Sequence, residues 1–338
     1  MAKINLFKAK KGEQELHIFG TAHGVAIDTL PPAVTSFIME HESMVTESAD
    51  LFRPITFEEL VSYNFVLLGE DTSPLLNFAD HQQKVIREKI QPYLDFKKSK
   101  IPVDKLNLHG LFNLYKMALY FDGMDYSIIR GFLSKNITGL ESIQDVVNIQ
   151  ELEISEAGFK ELVYSSDCNI AERKFVKFFR DNLYLGNLKL KEDGDSSSNE
   201  LLTRNSAWLP KIKELDSSEV ICVGFAHLFY EHGILNMLKL GGYSIERMSS
   251  SGEFTMASDV EILQGIKLAT AQEYQNMLVL SLKKLNLEER QWVKDNSEGE
   301  YEASFLQLYA EENVEYCASS EQIELAGAEY QAYSYCES

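Results

Sequence analysis

The chain has little positive charge, no long apolar run and few cysteines. Its 32 Lys and Arg stand against 52 Asp and Glu, so the formal net charge is −20 and the isoelectric point is near 4.8. Because phosphate contacts need clustered Lys and Arg, this balance argues against a free-standing nucleic-acid binder and against docking on an anionic membrane surface. No apolar run reaches the roughly 18 residues of a membrane-spanning helix, and the best candidate, 220–229, is interrupted by Gly224 and His227.

Several chemical signatures are also missing. The four cysteines are far apart and form no CxxC pair, which argues against a disulfide framework. The first 15 residues contain no apolar stretch followed by small residues, so no signal peptide is predicted and the cytoplasm of the producing cell is the expected compartment. The motifs GxSxG, HExxH, GxxxxGK[ST] and GxGxxG do not occur, so serine hydrolases, zincins, P-loop NTPases and Rossmann dinucleotide binders lose their usual support.

Short apolar segments alternate with longer helical patterns along the first 250 residues. A hairpin is predicted for INLFKA and LHIFG, and strands for SMVTESA, ITGLES, SEVICVGFAH and YSIERM. Thr56 and Glu59 form a capping-box pattern that predicts the start of a helix, and KEDGDSSSNE predicts an exposed loop. This alternation predicts an α/β fold in which a central mixed sheet is flanked by helices, with a helical insertion at about 57–133.

The C-terminal quarter has a different character. Residues 251–338 hold 17 Asp and Glu against five Lys and Arg, and the last 38 residues contain no Lys or Arg. We therefore expect two parts, an α/β domain at 1–250 and an acidic helical extension at 251–338 that ends in a loosely ordered tail. The tail is interpreted as a solvated segment that aids solubility, or alternatively as a translocation signal of a bacterial effector that is secreted by a non-classical route.

Two similar tetrads each follow an apolar strand candidate. They are Gly20-Thr21-Ala22-His23 and Gly224-Phe225-Ala226-His227. Glu47 lies near the end of a third strand candidate and Glu141 near the end of a fourth. Ligands bind at the carboxyl ends of strands in open α/β sheets, and glycine there lets another group approach closely. If the strands are neighbours, two His and one or two Glu converge at one edge of the sheet.

The chemistry of this set has more than one interpretation. Neutral imidazoles and a carboxylate suit a divalent first-row cation, with a coordination position left for water. A His–Glu pair also works without metal, as general base and orienting group. Glu141 is consistent with a role at the site or with capping the helix that follows it. Arg204 and Asn205 are consistent with binding a substrate or with an exposed helix start.

A series of motifs follows in order over about residues 4–248: HIFGTAHG with a following LP, VTESA, GLES with Gln144, TRNSAW, VICVGFAHL, and GIL with GGYSIERM. Together they resemble the TraB/GumN family. Tiki proteins, which are animal proteases that act on Wnt, share this signature. The wider superfamily includes erythromycin-esterase-like and haem-binding ChaN-like proteins, and it implies an α/β fold with its site at one sheet edge.

The resemblance also implies a site. Tiki-like members are described as metalloproteases that depend on divalent cations such as manganese or cobalt, and zinc is a further candidate from the ligand types. Their two GxxH motifs and a Glu are thought to form the site, and these fall on Gly20, His23, Gly224, His227 and Glu47. Arg204 and Asn205 match the polar pair upstream of the second tetrad. Members often show HLxGxxG after that tetrad, whereas this chain reads HLFYEHG, with Tyr230 in the first glycine's place. That side chain is expected to narrow the pocket or alter the loop.

The leading hypothesis is a metal-dependent hydrolase, a Tiki-like metallopeptidase that acts on a peptide or protein substrate. In this hypothesis His23, His227 and Glu47 bind the ion, and Gly20 and Gly224 belong to the cofactor-binding site. Glu141 either supports a ligand of the ion or is an acid/base group. Arg204 and Asn205 then stabilise an oxyanion or bind substrate. Two alternatives remain open: a peptide-binding regulatory protein that keeps the fold without turnover, and a metal-independent His/Glu hydrolase. The sequence predicts no oligomeric state.

Overall fold

The computed structural model of the protein describes residues 4–48, 53–67, 72–119, 121, 123–142, 155–166, 170–189, 195–297, 299 and 301–312. Its strands are β1 (Leu6–Lys11), β2 (Gln14–Thr21), β3 (Ser43–Thr46), β4 (Asn136–Gly139), β5 (Leu188–Lys189), β6 (Glu219–Gly224), β7 (Ser244–Met248), β8 (Phe254–Met256) and β9 (Lys267–Leu268). Its α-helices are α1 (Pro32–Glu40), α2 (Phe57–Ser62), α3 (Asp80–Phe96), α4 (Leu108–Leu119), α5 (Met124–Phe132), α6 (Glu156–Ser166), α7 (Ile170–Gly186), α8 (Asp195–Ile212), α9 (Ile234–Leu240), α10 (Asp259–Leu263), α11 (Ala271–Leu282), α12 (Leu287–Asn296) and α13 (Glu302–Glu311).

A mixed sheet with the strand order β4-β3-β6-β2-β1-β7-β8 lies at the centre of the fold. The strands β4, β3, β6 and β2 are parallel to one another, whereas β1 is antiparallel to β2 and β7, and β8 is antiparallel to β7. Helix α5 packs against β3 and β4, and α9 packs against β7. The predicted α/β fold with a central mixed sheet and flanking helices is therefore confirmed.

The hairpin of β1 and β2 is made possible by a glycine in its turn. Strands β1 and β2 pair from Leu6–Phe19 to Lys11–Gln14, which leaves a two-residue connection. Gly12 in that connection has a φ of 59°, a left-handed conformation that glycine adopts without the strain of a Cβ. The apolar residues of β2 and β6 are almost fully buried, as expected for strands inside a covered sheet.

The helical insertion has a core of its own. Its buried residues come from α2, α3, α4 and the flanking segments, and include Leu60, Ile90 and Tyr115. The predicted capping box at the start of α2 is present, because Thr56 Oγ1 accepts from the Glu59 backbone N–H and the Glu59 carboxylate accepts from the Thr56 N–H at 2.8 Å. The insertion also contains α5, which reaches the sheet.

The chain divides into two compact units, 1–167 with 193–265, and 168–192 with 266–338. The first contains the mixed sheet and the insertion. In the second, α7 packs against α11 and α12, and α11 packs against α13. Its core includes Leu282, Phe305 and Leu308, which are fully buried.

These units differ from the sequence-based boundary at residue 250. Residues 254–256 form β8, which pairs with β7 and so extends the sheet beyond that boundary. Pairing of β5 with β9 places 168–192 with the C-terminal helices. The exposed loop predicted for 191–200 is also shorter than expected, since α8 begins at Asp195; Asp and Ser residues are favourable at a helix start. The predicted loose tail beyond residue 312 lies outside the described residues. No helix in the described ranges is long and apolar enough to cross a membrane.

Candidate active site at the carboxyl edge of the sheet

Four neighbouring parallel strands end together at one edge of the sheet. Thr21 at the end of β2 is in register with Gly224 of β6, and Thr46 at the end of β3 is in register with Cys222 of β6 and Gly139 of β4. The loops that leave these strands carry the polar residues singled out in the sequence. This edge is the place where open α/β sheets usually bind ligands.

Each predicted residue has a definite position at this edge. His23 lies two residues beyond β2, Glu47 directly follows β3, and Glu141 lies two residues beyond β4. His227 ends a single 3₁₀ turn that follows β6. Arg204 and Asn205 lie on α8. Hydrogen bonds and ion pairs join five of these six side chains to one another, and the sixth, His23, pairs with Asp125.

Arg204 is the centre of the cluster. Its Nη2 donates to Glu47 Oε2 at 2.6 Å and to Glu141 Oε1 at 2.5 Å, and its Nε donates to Glu141 Oε2 at 3.2 Å. Its Nη1 lies 3.3 Å from His227 Nε2. Burial acts to lower the pKa of Arg204, but the hydrogen bond and charge of Glu141 and the charge of Glu47 raise it overall. The guanidinium is therefore a fixed cation between two carboxylates and an imidazole.

The acceptors around Arg204 are themselves held in place. Glu47 Oε1 accepts from the Gly224 backbone N–H at 2.7 Å, and Glu141 Oε2 accepts from Trp208 Nε1 at 3.1 Å. Trp208 is almost fully buried, with the Arg204 guanidinium 4.7 Å from the centroid of its ring. Because Trp208 is four residues after Arg204 on α8, the two side chains share one face of that helix.

The tautomer of His227 follows from its partners. Asn205 Nδ2 donates to the backbone carbonyls of His227 and His232, at 3.1 and 2.8 Å, so its Oδ1 faces His227 Nδ1 at 2.7 Å. Since an amide oxygen only accepts, Nδ1 carries the hydrogen and Nε2 presents its lone pair to Arg204. Burial lowers the pKa of His227 to about 4, with Arg204 acting in the same direction and Glu47 opposing it. His227 is therefore neutral at neutral pH.

His23 has the opposite electrostatic environment. Its Nδ1 lies 2.9 Å from Asp125 Oδ2, on α5 of the insertion, and this carboxylate raises the pKa of His23 to about 9. The imidazole side chain is 63% exposed, so solvent screens part of that attraction. His23 is the most exposed member of the site, whereas the His227 side chain is 6% exposed.

Glu47 is kept ionised despite its burial. Burial acts to raise the pKa of this carboxyl, but the charge of Arg204 and the backbone N–H of Gly224 lower it below its ordinary value. The site therefore holds an ionised carboxylate and a protonated imidazole at neutral pH. Opposite shifts of this kind are a common property of acid–base pairs in active sites.

The two tetrad glycines have different surroundings. A Cβ on Gly20 would lie 2.6 Å from Leu228 Cδ1 and 2.9 Å from Phe225 Cβ, so this glycine lets the turn after β6 pack on β2. A Cβ on Gly224 would lie 3.1 Å from Glu47 Oε1. The group that approaches Gly224 closely is thus Glu47, whereas the space at Gly20 is filled by the protein's own apolar side chains.

The imidazole and carboxylate groups of the site are of the types that bind a divalent ion, but they are not arranged to bind one. Both imidazoles direct Nδ1 to a side-chain oxygen, which is the orientation found in histidines that bind metals through Nε2. Within the described ranges, however, no group of three or more His, Cys, Asp or Glu residues is placed to hold a metal ion. Arg204 already donates to Glu47 and to Glu141 and lies against His227 Nε2. While Arg204 keeps these contacts, the residues do not fit the ion that the resemblance implies.

Sequence reasoning missed Asp125 and Trp208. Asp125 is 102 residues from His23 and lies in a helical segment without any motif, so no local signal identified it. For Trp208 a local signal did exist, namely its i, i+4 spacing from Arg204. Tyr230 has a φ of 72°, which is a conformation that favours glycine. The loop therefore has a left-handed backbone at Tyr230, the position that the resemblance to TraB/GumN assigns to a glycine.

No protein-family model, curated protein or solved structure matches this chain.

Proposed function

We propose that the protein is a hydrolase of acyl bonds, with a peptide or protein as its substrate. The observation that carries the proposal is the meeting of side chains from four strand ends and α8 at one sheet edge, with each imidazole oriented through Nδ1 by Asp125 or Asn205. The resemblance of the two tetrads and of TRNSAW to the TraB/GumN pattern supports it. The geometry favours a reaction carried out by side chains rather than by a bound metal ion, because the guanidinium of Arg204 already supplies the positive charge between the two carboxylates.

Glu47 and His23 have the protonation states that hydrolysis requires. Glu47 takes a proton from water as the water oxygen bonds to the substrate carbonyl carbon. His23 then donates a proton to the leaving nitrogen as the C–N bond breaks, and the products are a carboxylic acid and an amine. Transfer of the proton from Glu47 back to His23 restores the site. Arg204 stabilises the negative charge that develops on the carbonyl oxygen.

The test is turnover of a quenched-fluorescent peptide library by wild-type protein and by His23→Gln and Glu47→Gln. Loss of a general acid or base lowers kcat by ~10²–10⁴-fold. Matched controls are His81→Gln and Glu88→Gln, two exposed positions on α3, which should keep wild-type turnover. Circular dichroism and melting temperature verify that each variant is folded.

The same experiment separates a catalyst from a binding protein. Equal turnover in His23→Gln and in the control variants would contradict the proposal. Peptide that binds without being cut, with an affinity that Glu47→Gln does not change, would favour a regulatory protein that keeps the fold. A pH profile with maximal kcat/KM between the pKa of Glu47 and that of His23, near 9, supports the assigned acid and base.

A metal-dependent hydrolase is the second candidate. It is favoured by the orientation of both imidazoles, whose Nδ1 atoms are bonded to Asp125 and Asn205. In this version His23, His227 and Glu47 would hold Mn²⁺, Co²⁺ or Zn²⁺, and Arg204 would not keep its contacts with Glu47 and His227. A divalent ion held there would supply Lewis-acid polarisation and a lowered pKa of bound water. One ion per wild-type chain, with turnover lost to a chelator and restored by metal, would establish it.

A further inference from the structure

The acceptor groups around Arg204 have the character of a built cation site. Two carboxylates and one imidazole nitrogen face the guanidinium, with donor–acceptor distances from 2.5 to 3.3 Å. Ordinary surface ion pairs contribute little, because two long side chains must be ordered in high dielectric. Here the acceptors are ordered in advance, because the two carboxylates accept from Gly224 N–H and Trp208 Nε1–H and the imidazole donates through Nδ1–H to Asn205 Oδ1. The arrangement is therefore preorganised for a positive charge.

The same acceptors match the donor set of a divalent first-row cation. Such ions take imidazole nitrogen and carboxylate oxygen at about 2.0–2.2 Å, which places two ligands of one ion roughly 3–3.5 Å apart. His227 Nε2 and Glu47 Oε1 are 3.8 Å apart. A small movement would bring this pair to the separation that a shared ion requires, provided that the guanidinium were absent.

We propose that Arg204 is the built-in cation of this site, which occupies the position of a divalent ion and keeps such ions from binding. This inference rests on the proposed function, which identifies the cluster around Arg204 as the active site. Arginine is always charged in proteins, so a metal ion competes with a tethered cation at every accessible pH. Removal of the guanidinium leaves Glu47, Glu141 and the lone pair of His227 without their shared partner and creates a vacant divalent-cation site.

The experiment compares the affinity of Co²⁺ and Mn²⁺ for wild type, Arg204→Met and Arg204→Lys by calorimetry, with the visible spectrum of bound Co²⁺ as a second readout. Arg204→Met should bind one ion at least tenfold more tightly than wild type, a difference of about 1.4 kcal/mol. Arg204→Lys retains the charge and should stay close to wild type. In Arg204→Met/His227→Ala the gain should disappear, because the imidazole ligand is lost.

The outcomes distinguish this inference from the hydrolase proposal. Wild-type protein that binds the ion as tightly as Arg204→Met, or folded Arg204→Met that gains no affinity, overturns it. If Arg204→Met does not fold, Arg204→Met/Glu141→Gln has one buried carboxylate fewer and gives the same comparison. These readouts require no substrate, so failure to find turnover leaves the metal result interpretable. Turnover that depends on Glu47 while Arg204→Met gains no affinity would reject only the inference about Arg204.

Discussion

At the scale of single residues, two histidines with the same spacing from a glycine differ in charge: at neutral pH His23 is protonated and His227 is neutral. Exposed His23 faces the carboxylate of Asp125, whereas buried His227 faces the amide of Asn205 and the guanidinium of Arg204. An anion stabilises an imidazolium, and a cation in a buried environment disfavours it. The GxxH motif therefore determines where each imidazole lies, and the residues that contact the imidazole determine its protonation state.

Asp125→Asn should lower the pKa of His23 from about 9 towards the ordinary value of 6.5, because the Asp125 carboxylate is the main cause of the raised pKa. The check is an NMR titration of the His23 Cε1 proton in both proteins. Asp104→Asn is the matched control, since this aspartate of the insertion pairs with Arg87. An unchanged titration of His23 in Asp125→Asn would show that another group raises its pKa.

The same pair gives a pH dependence of stability with a definite sign. The folded pKa of His23 lies above its unfolded value, so the stabilisation is fully present below about 6.5 and is lost as pH rises through about 9. Urea unfolding of wild type and Asp125→Asn should therefore differ most at pH 6 and least at pH 10. A difference that grows with pH would contradict the pairing.

Asn205→Asp should raise the pKa of His227 above about 4, because a carboxylate then faces the Nδ1 hydrogen. The backbone carbonyls of His227 and His232 lose their donor in this variant, so the free energy of unfolding should fall by ~1–3 kcal/mol. An NMR titration and urea unfolding measure the two effects. Asn236→Asp, whose amide bonds one exposed carbonyl, should change neither by as much.

At the scale of elements, the first tetrad is also a packing contact between β2 and the turn after β6. Gly20→Ala should lower the free energy of unfolding by ~1–3 kcal/mol, because the added methyl group overlaps Phe225 and Leu228. Gly158→Ala on α6 is the control. Its methyl group would lie 3.2 Å from Oγ of the exposed Ser155, which can shift, so this variant should change the free energy of unfolding by no more than ~1 kcal/mol, since alanine also favours a helix. Equal effects of the two substitutions in urea unfolding would show that the packing at Gly20 is not tight.

The strands could be predicted from the sequence better than their arrangement. Apolar runs such as the one in SEVICVGFAH indicate β6 directly, and the capping box of Thr56 indicates the start of α2. The order β4-β3-β6-β2 depends on long-range pairing, which no local pattern contains. The bridge from Arg204 to Glu47 joins residues 157 positions apart, and for that reason it became visible only in three dimensions.

At the scale of the whole molecule, the acidic extension contains two different parts. Helix α13 contributes the fully buried Phe305 and Leu308 to the core of the second compact unit. Residues 313–338, which hold five Glu and no Lys or Arg, lie beyond the described residues. We expect the negative charge of this segment to affect solubility more than the fold.

Two truncations test this division. Removal of 313–338 should leave the melting temperature close to that of wild type, whereas removal of 301–338 should destabilise the protein strongly, because deletion of one buried Phe side chain alone costs ~3–5 kcal/mol. Calorimetry and limited proteolysis of the three proteins measure the difference. Equal melting temperatures for the two truncations would show that α13 adds little to the core. Only the shorter truncation can test a role of the tail in export, since loss of export in the longer one could result from unfolding.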